Sequence, residues 1–594
     1  MIFEKSRRTN FILLFKTIRE VCPFRVFISL ITILLEKTNG ILFSVLLVKY
    51  IVDHYKIGLE IVNIIVIFSI CGVFQIINKI LSSYYYNIYV PTSNIKIEKH
   101  IRKKIYDKAV QLDLSSYDTP ELYEKFNLAM SDSSARIIEL YENIICLIGS
   151  IYMVITIGVI MVTIQPLLIV FVLIPQIVSS IIGKRFNRTR YDYNNKQIQN
   201  QRIRDYVNRT FYYKEYILDQ KNTNIHMALF CAFTESTREL LKIIRRDSKK
   251  ISLFEYIFMI TSDVIVYLGC ITYCVLCVFI FQVMTISGCI VIINTLNNMI
   301  GALWQIGGLY IRIDKDILFL DNYIDFLNYP ITILSGSKSF AKNKKTIIFD
   351  NVNFKYPNQE KYIFENLTFE VPHGKKIAIV GINGVGKTTL IKLLLRLYDP
   401  SGGSITCGNQ NIKMYNLSEY RNAFGVLFQD FHVYAFPFGN NIAMDSDYDE
   451  LSAINAIKMA ELQNKVNQYD ISLDDMLTND IYEDGIQFSK GEMQKLALSR
   501  LFYKDYDFII LDEPFSNLDL FSEKIIYENL KKIFNEKTMI VISHRLASIT
   551  DFDKIIVIDE GRIVEEGTHC KLINEKGLYY TMFIKQTEAY RDGE

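Results

Sequence analysis

Lys376-Ile-Ala-Ile-Val-Gly-Ile-Asn-Gly-Val-Gly-Lys-Thr-Thr-Leu390 is the stretch that decides the fold of the second half of the chain. It opens on a short apolar run of strand type, turns through glycines, and leads into the helical run Leu390–Leu397. A strand, then G-x-x-x-x-G-K-T, then a helix lets backbone N–H groups curl around phosphates at a helix N-terminus, where the macrodipole favours anions. In that arrangement Lys387 is expected to hold the β- and γ-phosphates of ATP, and Thr388 to ligate Mg²⁺. Gly381, Asn383, Gly384, Val385, Gly386 and Thr389 complete the expected cradle.

The pattern around this stretch, from about residue 346 onward, alternates strands with helices, the sign of an α/β domain. Phe508-Ile-Ile-Leu511 reads as a second buried strand and ends in Asp512-Glu513. Asp512 suits the metal side of such a site, and Glu513 could polarise an attacking water. Met539-Ile-Val-Ile-Ser543 reads as a third strand and ends at His544. A lone histidine is usually structural. One at the C-terminal end of a parallel strand points into the crevice where ligands bind.

The first half is different. Of 594 residues, 50% are hydrophobic although 22% are charged, which fits one lipid-soaked half and one globular half. The net charge of +2 is too small to suggest a nucleic-acid partner. A bilayer core needs about 20 mostly apolar residues. Six candidates are found, at roughly 26–48, 61–82, 139–163, 166–183, 254–282 and 285–312. Lys and Arg cluster at the N-terminus, from Lys96 to Lys108 and from Lys184 to Lys250, whereas the connections at 163–166 and 281–286 carry no charge. By the positive-inside rule the basic loops face the cytoplasm, and so does everything after the sixth span. Both basic loops keep heptad-like apolar positions, so they read as helices leaving the membrane, with turning points near Tyr117–Tyr123 and Tyr212–Asp219. Glu36, Lys37 and Asp263 inside spans are expected to face the bundle or a cavity. The ten cysteines form no spaced framework, and Cys274 and Cys277 read as helix packing. The basic start lacks a cleavage site and is expected to be a retained anchor. Abundant Ile, Lys, Asn and Tyr suggest an AT-rich bacterial genome.

Taken together, the motifs resemble the nucleotide-binding domain of the ABC transporter superfamily over nearly all of 346–594. The resemblance implies that Tyr356 stacks on adenine, and that Gln429, in Leu427-Phe-Gln-Asp430, reaches Mg²⁺ and water. It implies further that Ser516-Asn-Leu-Asp519 is the D-loop and that His544 contacts the γ-phosphate. Glu513, His544 and Gln429 are then the catalytic set, and Thr388, Gln429 and Asp512 the metal set. The signature departs from the family's Leu-Ser-Gly-Gly-Gln: it reads Phe488-Ser-Lys-Gly-Glu492, so Ser489, Lys490, Gly491 and Glu492 would meet nucleotide. Lys490 either points aside or slows one site of an asymmetric pair.

The implied fold is an all-α transmembrane six-helix domain at 1–315, a linker at 316–345, and an α/β P-loop ATPase domain with a helical subdomain at 346–594. The first half is similar to that of bacterial peptide, bacteriocin and multidrug exporters without an N-terminal peptidase domain. Asp118-Thr-Pro-Glu-Leu-Tyr123 and Lys214-Glu215 look like its coupling-helix regions. The implied function is ATP-driven export of an amphipathic peptide, drug or lipid. A second half-transporter, in a homodimer or heterodimer, would complete each site. The expected place is the bacterial cytoplasmic membrane, multi-pass, with the ATPase domain in the cytoplasm. The alternative is an ATP-binding regulatory or channel-like membrane protein with weak hydrolysis.

Overall fold

The structure is a computed structural model, and it describes residues 2–55, 61–119, 122, 126, 129, 130, 133–260, 264–341, 345–357, 359–382 and 384–591. Two compact units result. One comprises Met1–Lys108 with Lys125–Asn328, the other Ala109–Glu124 with Tyr329–Glu594.

The first unit is helical. Arg25–Ile41 runs through a π-helical turn at Leu42–Leu46 into Leu47–Tyr55, and Ile61–Tyr84 through a second at Tyr85–Tyr89 into Val90–Gln111. Ser133–Ile164, Leu168–Tyr212, Ile225–Met259, Ile265–Phe279 and Ile286–Leu327 follow. Among the described residues three helical stretches are long and apolar enough to cross a membrane: Ile65–Gln111, Ser134–Ile164 and Ile286–Leu327. The apolar window of the first is only 6% buried. Ile65, Phe68, Ile70, Val73 and Ile76 all lie on the surface, and an aqueous solvent would not tolerate a patch of that extent. The Leu168–Tyr212 helix contains Pro175 and breaks at Tyr213, after which Lys214–Asn222 makes the second turn.

Several polar groups in this unit are partnered with one another. The Arg25 guanidinium, 0% exposed, donates to Ser93 Oγ at 2.7 Å and to Glu142 Oε1 at 3.2 Å, and lies 5.1 Å from the Tyr141 ring. Glu36 accepts from Tyr86 Oη at 3.1 Å, and Lys37 donates to Gln305 Oε1 at 3.2 Å. Ser150 donates to the same Gln305 oxygen at 3.0 Å. Asp263 lies outside the described residues.

The second unit holds two sheets. In chain order its strands are β1 Ile347–Phe354, β2 Phe364–Val371, β3 Lys376–Val380, β4 Gly402–Cys407, β5 Gln410–Asn411, β6 Phe424–Leu427, β7 Phe508–Asp512, β8 Thr538–Ile542, β9 Lys554–Asp559 and β10 Arg562–Gly567. An antiparallel sheet runs β2-β1-β4-β5, and a larger one runs β10-β9-β3-β8-β7-β6, parallel except for β10. The central strands are apolar throughout because both faces are covered. Ile377, Ile379, Ile510 and Ile540 pack on the Lys387–Leu394 helix side, while Ala378, Val380, Ile509, Leu511 and Val541 pack with Leu498, Leu501, Ile526 and Leu530. A separate core of Phe438, Ile442, Ile457, Leu462, Leu477 and Phe488 holds a small helical subdomain together.

Two boundaries differ from the sequence reading. The Ile286–Leu327 helix continues past residue 315, so the stretch 316–327 is helix and the irregular connection starts beyond it. Ile317, Leu320, Tyr323 and Phe326 are buried at helical spacing, and their packing outweighs the polar residues between them. The chain also enters the second unit at Ala109–Glu124 before returning to the first. That excursion is tied down by Asp113, whose Oδ2 accepts from Thr332 N and Oγ1, each at 2.6 Å, and from Ile333 N at 3.1 Å. Tyr398 Oη donates to Asp118 at 2.5 Å. Asp113→Ala strands two backbone donors and is expected to lower the stability of this unit by about 1–3 kcal/mol. Thermal unfolding of the purified protein reads it, and an unchanged midpoint would show that water replaces the carboxylate without loss.

Candidate functional site

Ligands bind an open parallel sheet where its strands end. Here β3 ends at Val380, β7 at Asp512 and β8 at Ile542, side by side, because β8 pairs with both neighbours. The loop from Gly381 enters the Lys387–Leu394 helix through Gly384 (φ +86°) and Gly386 (φ +97°), a conformation that L side chains resist. A Cβ on Gly386 would also lie 2.6 Å from Ile363 Cγ2 and 2.9 Å from Phe364 Cζ. Asn383 lies outside the described residues.

Lys387, 7% exposed, folds back onto this loop and donates to Gly381 O at 2.9 Å and Ile382 O at 3.0 Å. Burial lowers its pKa, and the nearby Glu513 and Asp512 carboxylates oppose that shift. Its ammonium thus satisfies two neutral carbonyls, and an anion in the loop would offer a better partner. Thr388 Oγ1 donates to Asp512 Oδ2 at 2.8 Å. Burial pushes the Asp512 carboxyl up, against the pull of the Thr388 hydroxyl. These hard oxygen donors fit Mg²⁺. Among the described residues no group of three or more His, Cys, Asp or Glu could hold a metal alone. Two oxygen donors, the Thr388 hydroxyl and the Asp512 carboxylate, leave most positions of such a cation to water or phosphate.

Glu513 sits at φ +50°, in the left-handed region, immediately after β7. Its carboxylate is held from both sides: Gln429 Nε2 donates at 3.2 Å, and His544 Nε2 lies 2.8 Å from the other oxygen. Desolvation, then the Lys387 charge, lowers the His544 pKa from its ordinary value of 6.5, while Glu513 opposes. The imidazole is then neutral at pH 7 and its Nε2–H donates to Glu513. Glu513, Ser516, Ser543 and His544 line a cleft of about 190 Å³. Such a carboxylate, next to a clefted space and a neutral histidine, can orient and polarise a water.

Tyr356 Oη is 3.0 Å from Thr389 Oγ1, and its ring meets Tyr398 edge-on at 5.3 Å. The two rings line a cleft of about 320 Å³ together with Ser115. Tyr356 is half-buried and open to a stacking partner.

Ser489 caps the Lys490–Tyr503 helix, and Glu492 closes the reciprocal contact: Ser489 N donates to Glu492 Oε2 at 2.8 Å, and Glu492 N to Ser489 Oγ at 3.3 Å. Lys465 pairs with the same carboxylate at 3.3 Å. Glu492 therefore gains an ionic partner that a neutral side chain would not have. Lys490 is exposed at the first helical position and makes no ion pair among the described residues. A residue the sequence reading passes over is Gln494, 2% exposed, whose Nε2 donates to Pro514 O at 2.6 Å and to Glu513 O at 3.3 Å, while its Oε1 accepts from Asn517 N at 2.8 Å. The available signal is an uncharged amide on a helix face that also carries Ala497, Leu498 and Leu501.

Residues 364–516 match the family model described as ABC transporter. The chain is 35% identical over 256 residues to the ATP-dependent lipid A-core flippase of Idiomarina loihiensis, covering 43% of this chain and 44% of that protein. Its match to the flippase of the same description from Coxiella burnetii, 33% identical, covers 46% of each, so the chain spans a little under half the length of these relatives. With ATP-dependent lipid A-core flippase 2 of Colwellia psychrerythraea it is 25% identical over 90% of this chain and 89% of that one. A solved structure described as a bacterial Atm1-family ABC exporter with ATP bound superposes with a TM-score of 0.81, at 21% identity, covering 96% of this chain and 99% of that one.

The capping box makes a pH prediction. Burial alone would raise the Glu492 carboxyl, but the Ser489 N–H and Lys465 outweigh it and hold the group below its ordinary 4.5. A depressed acid contributes stability that is full above the unfolded value and is lost as pH falls through the folded one. Glu492→Ala is expected to cost about 1 kcal/mol at pH 7. The gap to wild type should shrink as pH falls below the carboxyl's ordinary 4.5 and through its lowered folded value; a gap that stays constant with pH would mean that charge plays no part.

Proposed function

We propose that this chain, an ABC transporter by its ATPase domain and an ABC exporter by its fold, cleaves Mg-ATP and uses the event to carry an amphipathic substrate out of the cytoplasm. The observation that carries the reading is Glu513, held between Gln429 and His544 beside the loop of Lys387 and the Thr388–Asp512 pair. In this reading the Lys387 ammonium leaves its two carbonyls for the phosphates, and Tyr356 stacks on the base. Thr388 and Asp512, with the Gln429 amide oxygen, hold the cation, which when bound neutralises phosphate charge. Glu513 orients the water and accepts its proton, and His544 donates to the γ-phosphate.

A second half-transporter, identical or related, brings Ser489-Lys-Gly-Glu492 of its own equivalent segment onto this nucleotide, and this chain's segment serves the partner's. The exposed apolar helices place the protein in a membrane, multi-pass, with the cytoplasmic membrane and a cytoplasmic ATPase unit as the reading that basic loops support. The lipid named in the relatives' descriptions and the polar set Lys37, Ser150 and Gln305 within a helical bundle support a cargo with an apolar body and a polar head.

Glu513→Gln is expected to reduce ATP hydrolysis by about 10²–10⁴-fold while nucleotide binding persists, and Lys387→Ala to weaken binding itself. Hydrolysis by Glu513→Gln at the wild-type rate would remove the assignment. Lys490 motivates the second reading, a regulatory ATP-binding protein with little turnover. The capped backbone of its helix is regular, so the lysine leaves the N–H groups of the first turn in place. Lys490→Gly is accordingly expected to change kcat by less than about threefold. A rise of about tenfold or more would favour the regulatory reading instead.

A further inference from the structure

We propose that Gln494 is a positioning residue that couples the two nucleotide sites of the assembly. The inference rests on the roles proposed above: Glu513 acts on this chain's nucleotide, and the Ser489–Glu492 segment acts on the partner's. Both ends of that link lie on or against one helix, Lys490–Tyr503.

At the far end, both ends of the Gln494 amide bond to the turn that follows β7. Nε2 faces Pro514 O at 2.6 Å, Glu513 O at 3.3 Å and Ser516 Oγ at 3.4 Å, and Oε1 accepts from Asn517 N at 2.8 Å. A buried amide is costly unless so satisfied, which fixes the turn to the helix. Glu513 needs such a fixture. A non-glycine residue at φ +50° is strained, and such a conformation persists only when its surroundings over-determine it. Its N–H is bound to Ile542 O at 3.0 Å. Its C=O is bound by Gln494. The direction of the Glu513 carboxylate therefore depends on where Gln494 holds the peptide.

At the near end, the helix begins at the capping box of Ser489 and Glu492. Gly491, one turn before Gln494, also lies against the same turn: a Cβ there would be 3.0 Å from Asn517 O. Contact is thus made at two successive levels of a rigid helix. When phosphate engages the first turn of the helix, the displacement reaches the Glu513 peptide through Gln494, and occupancy of one site sets the carboxylate of the other.

The test uses the full-length assembly in lipid, with ATP as the probe. Gln494→Met keeps length and volume and removes the hydrogen bonds. It is expected to lower kcat about tenfold or more. It should flatten the ATP dependence of the rate toward a Hill coefficient of about 1, with KM and equilibrium ATP binding changed less than about twofold. Wild-type kcat and Hill coefficient in this variant, with only a lower thermal midpoint, would overturn the proposal and leave Gln494 a core residue. If Gln494→Met does not fold, Ser516→Ala, which deletes one of the amide's acceptors, replaces it: an unchanged Hill coefficient there overturns the proposal and a reduced one supports it. Glu513→Gln measured alongside separates the two failures. Retained hydrolysis in that control sinks the site assignment; lost hydrolysis there with normal Gln494→Met sinks the coupling alone.

Discussion

Parallel pairing at one residue underlies the whole second unit. Ile542, the last residue of β8, is in register with Ile379 on one side and Asp512 on the other. Three strand ends are thereby level, and the chain leaves each of them into the same space. The phosphate-loop candidate follows β3, the Asp512–Glu513 pair closes β7, and His544 follows β8. A one-residue slip of β7 would carry Asp512 to the other face of the sheet and separate it from Thr388. The dense packing of alternate residues on two helical layers opposes such a slip, since every side chain of the strand would change layers.

Within that frame the charges are arranged to be unsatisfied by one another. Lys387 rests on neutral carbonyls, and burial has weakened its hold on the proton. Asp512 rests on a hydroxyl, and burial raises its pKa. The nearby opposite charges are each too far engaged elsewhere to form a direct ion pair among the described residues. In the proposed function, phosphate and a divalent cation would each give one of these buried charges a full partner. Glu513 is treated differently: it is strained in its backbone and restrained in its side chain by two donors, which fix its direction.

The helical unit follows another rule. Its outer apolar faces lie open, whereas the buried Arg25 pairs inward with Ser93 and Glu142. Open apolar faces around an apolar core are not the surface of a water-soluble bundle, as expected where lipid is the solvent.

Local sequence alone determined the strand–loop–helix at 376–394, because glycine spacing, a lysine and a following helix are all contiguous. It also determined the apolar helices, whose length and composition need no distant partner. The six-span count, the linker start at 316 and the turn near Tyr117 depended on packing, and composition could not foresee the buried Ile317, Leu320 and Phe326 that prolong the last helix. Only tertiary structure brought Gln429 and His544 to the two oxygens of Glu513, gave Glu513 its left-handed backbone, and tied Asp113 to Thr332. Gln494 escaped notice for the same reason: a single amide in an ordinary helix acquires meaning when the turn it grips, remote in sequence, is folded against it. Contacts between distant segments are set by which faces the strands and helices bury, and that choice is made by the whole core at once.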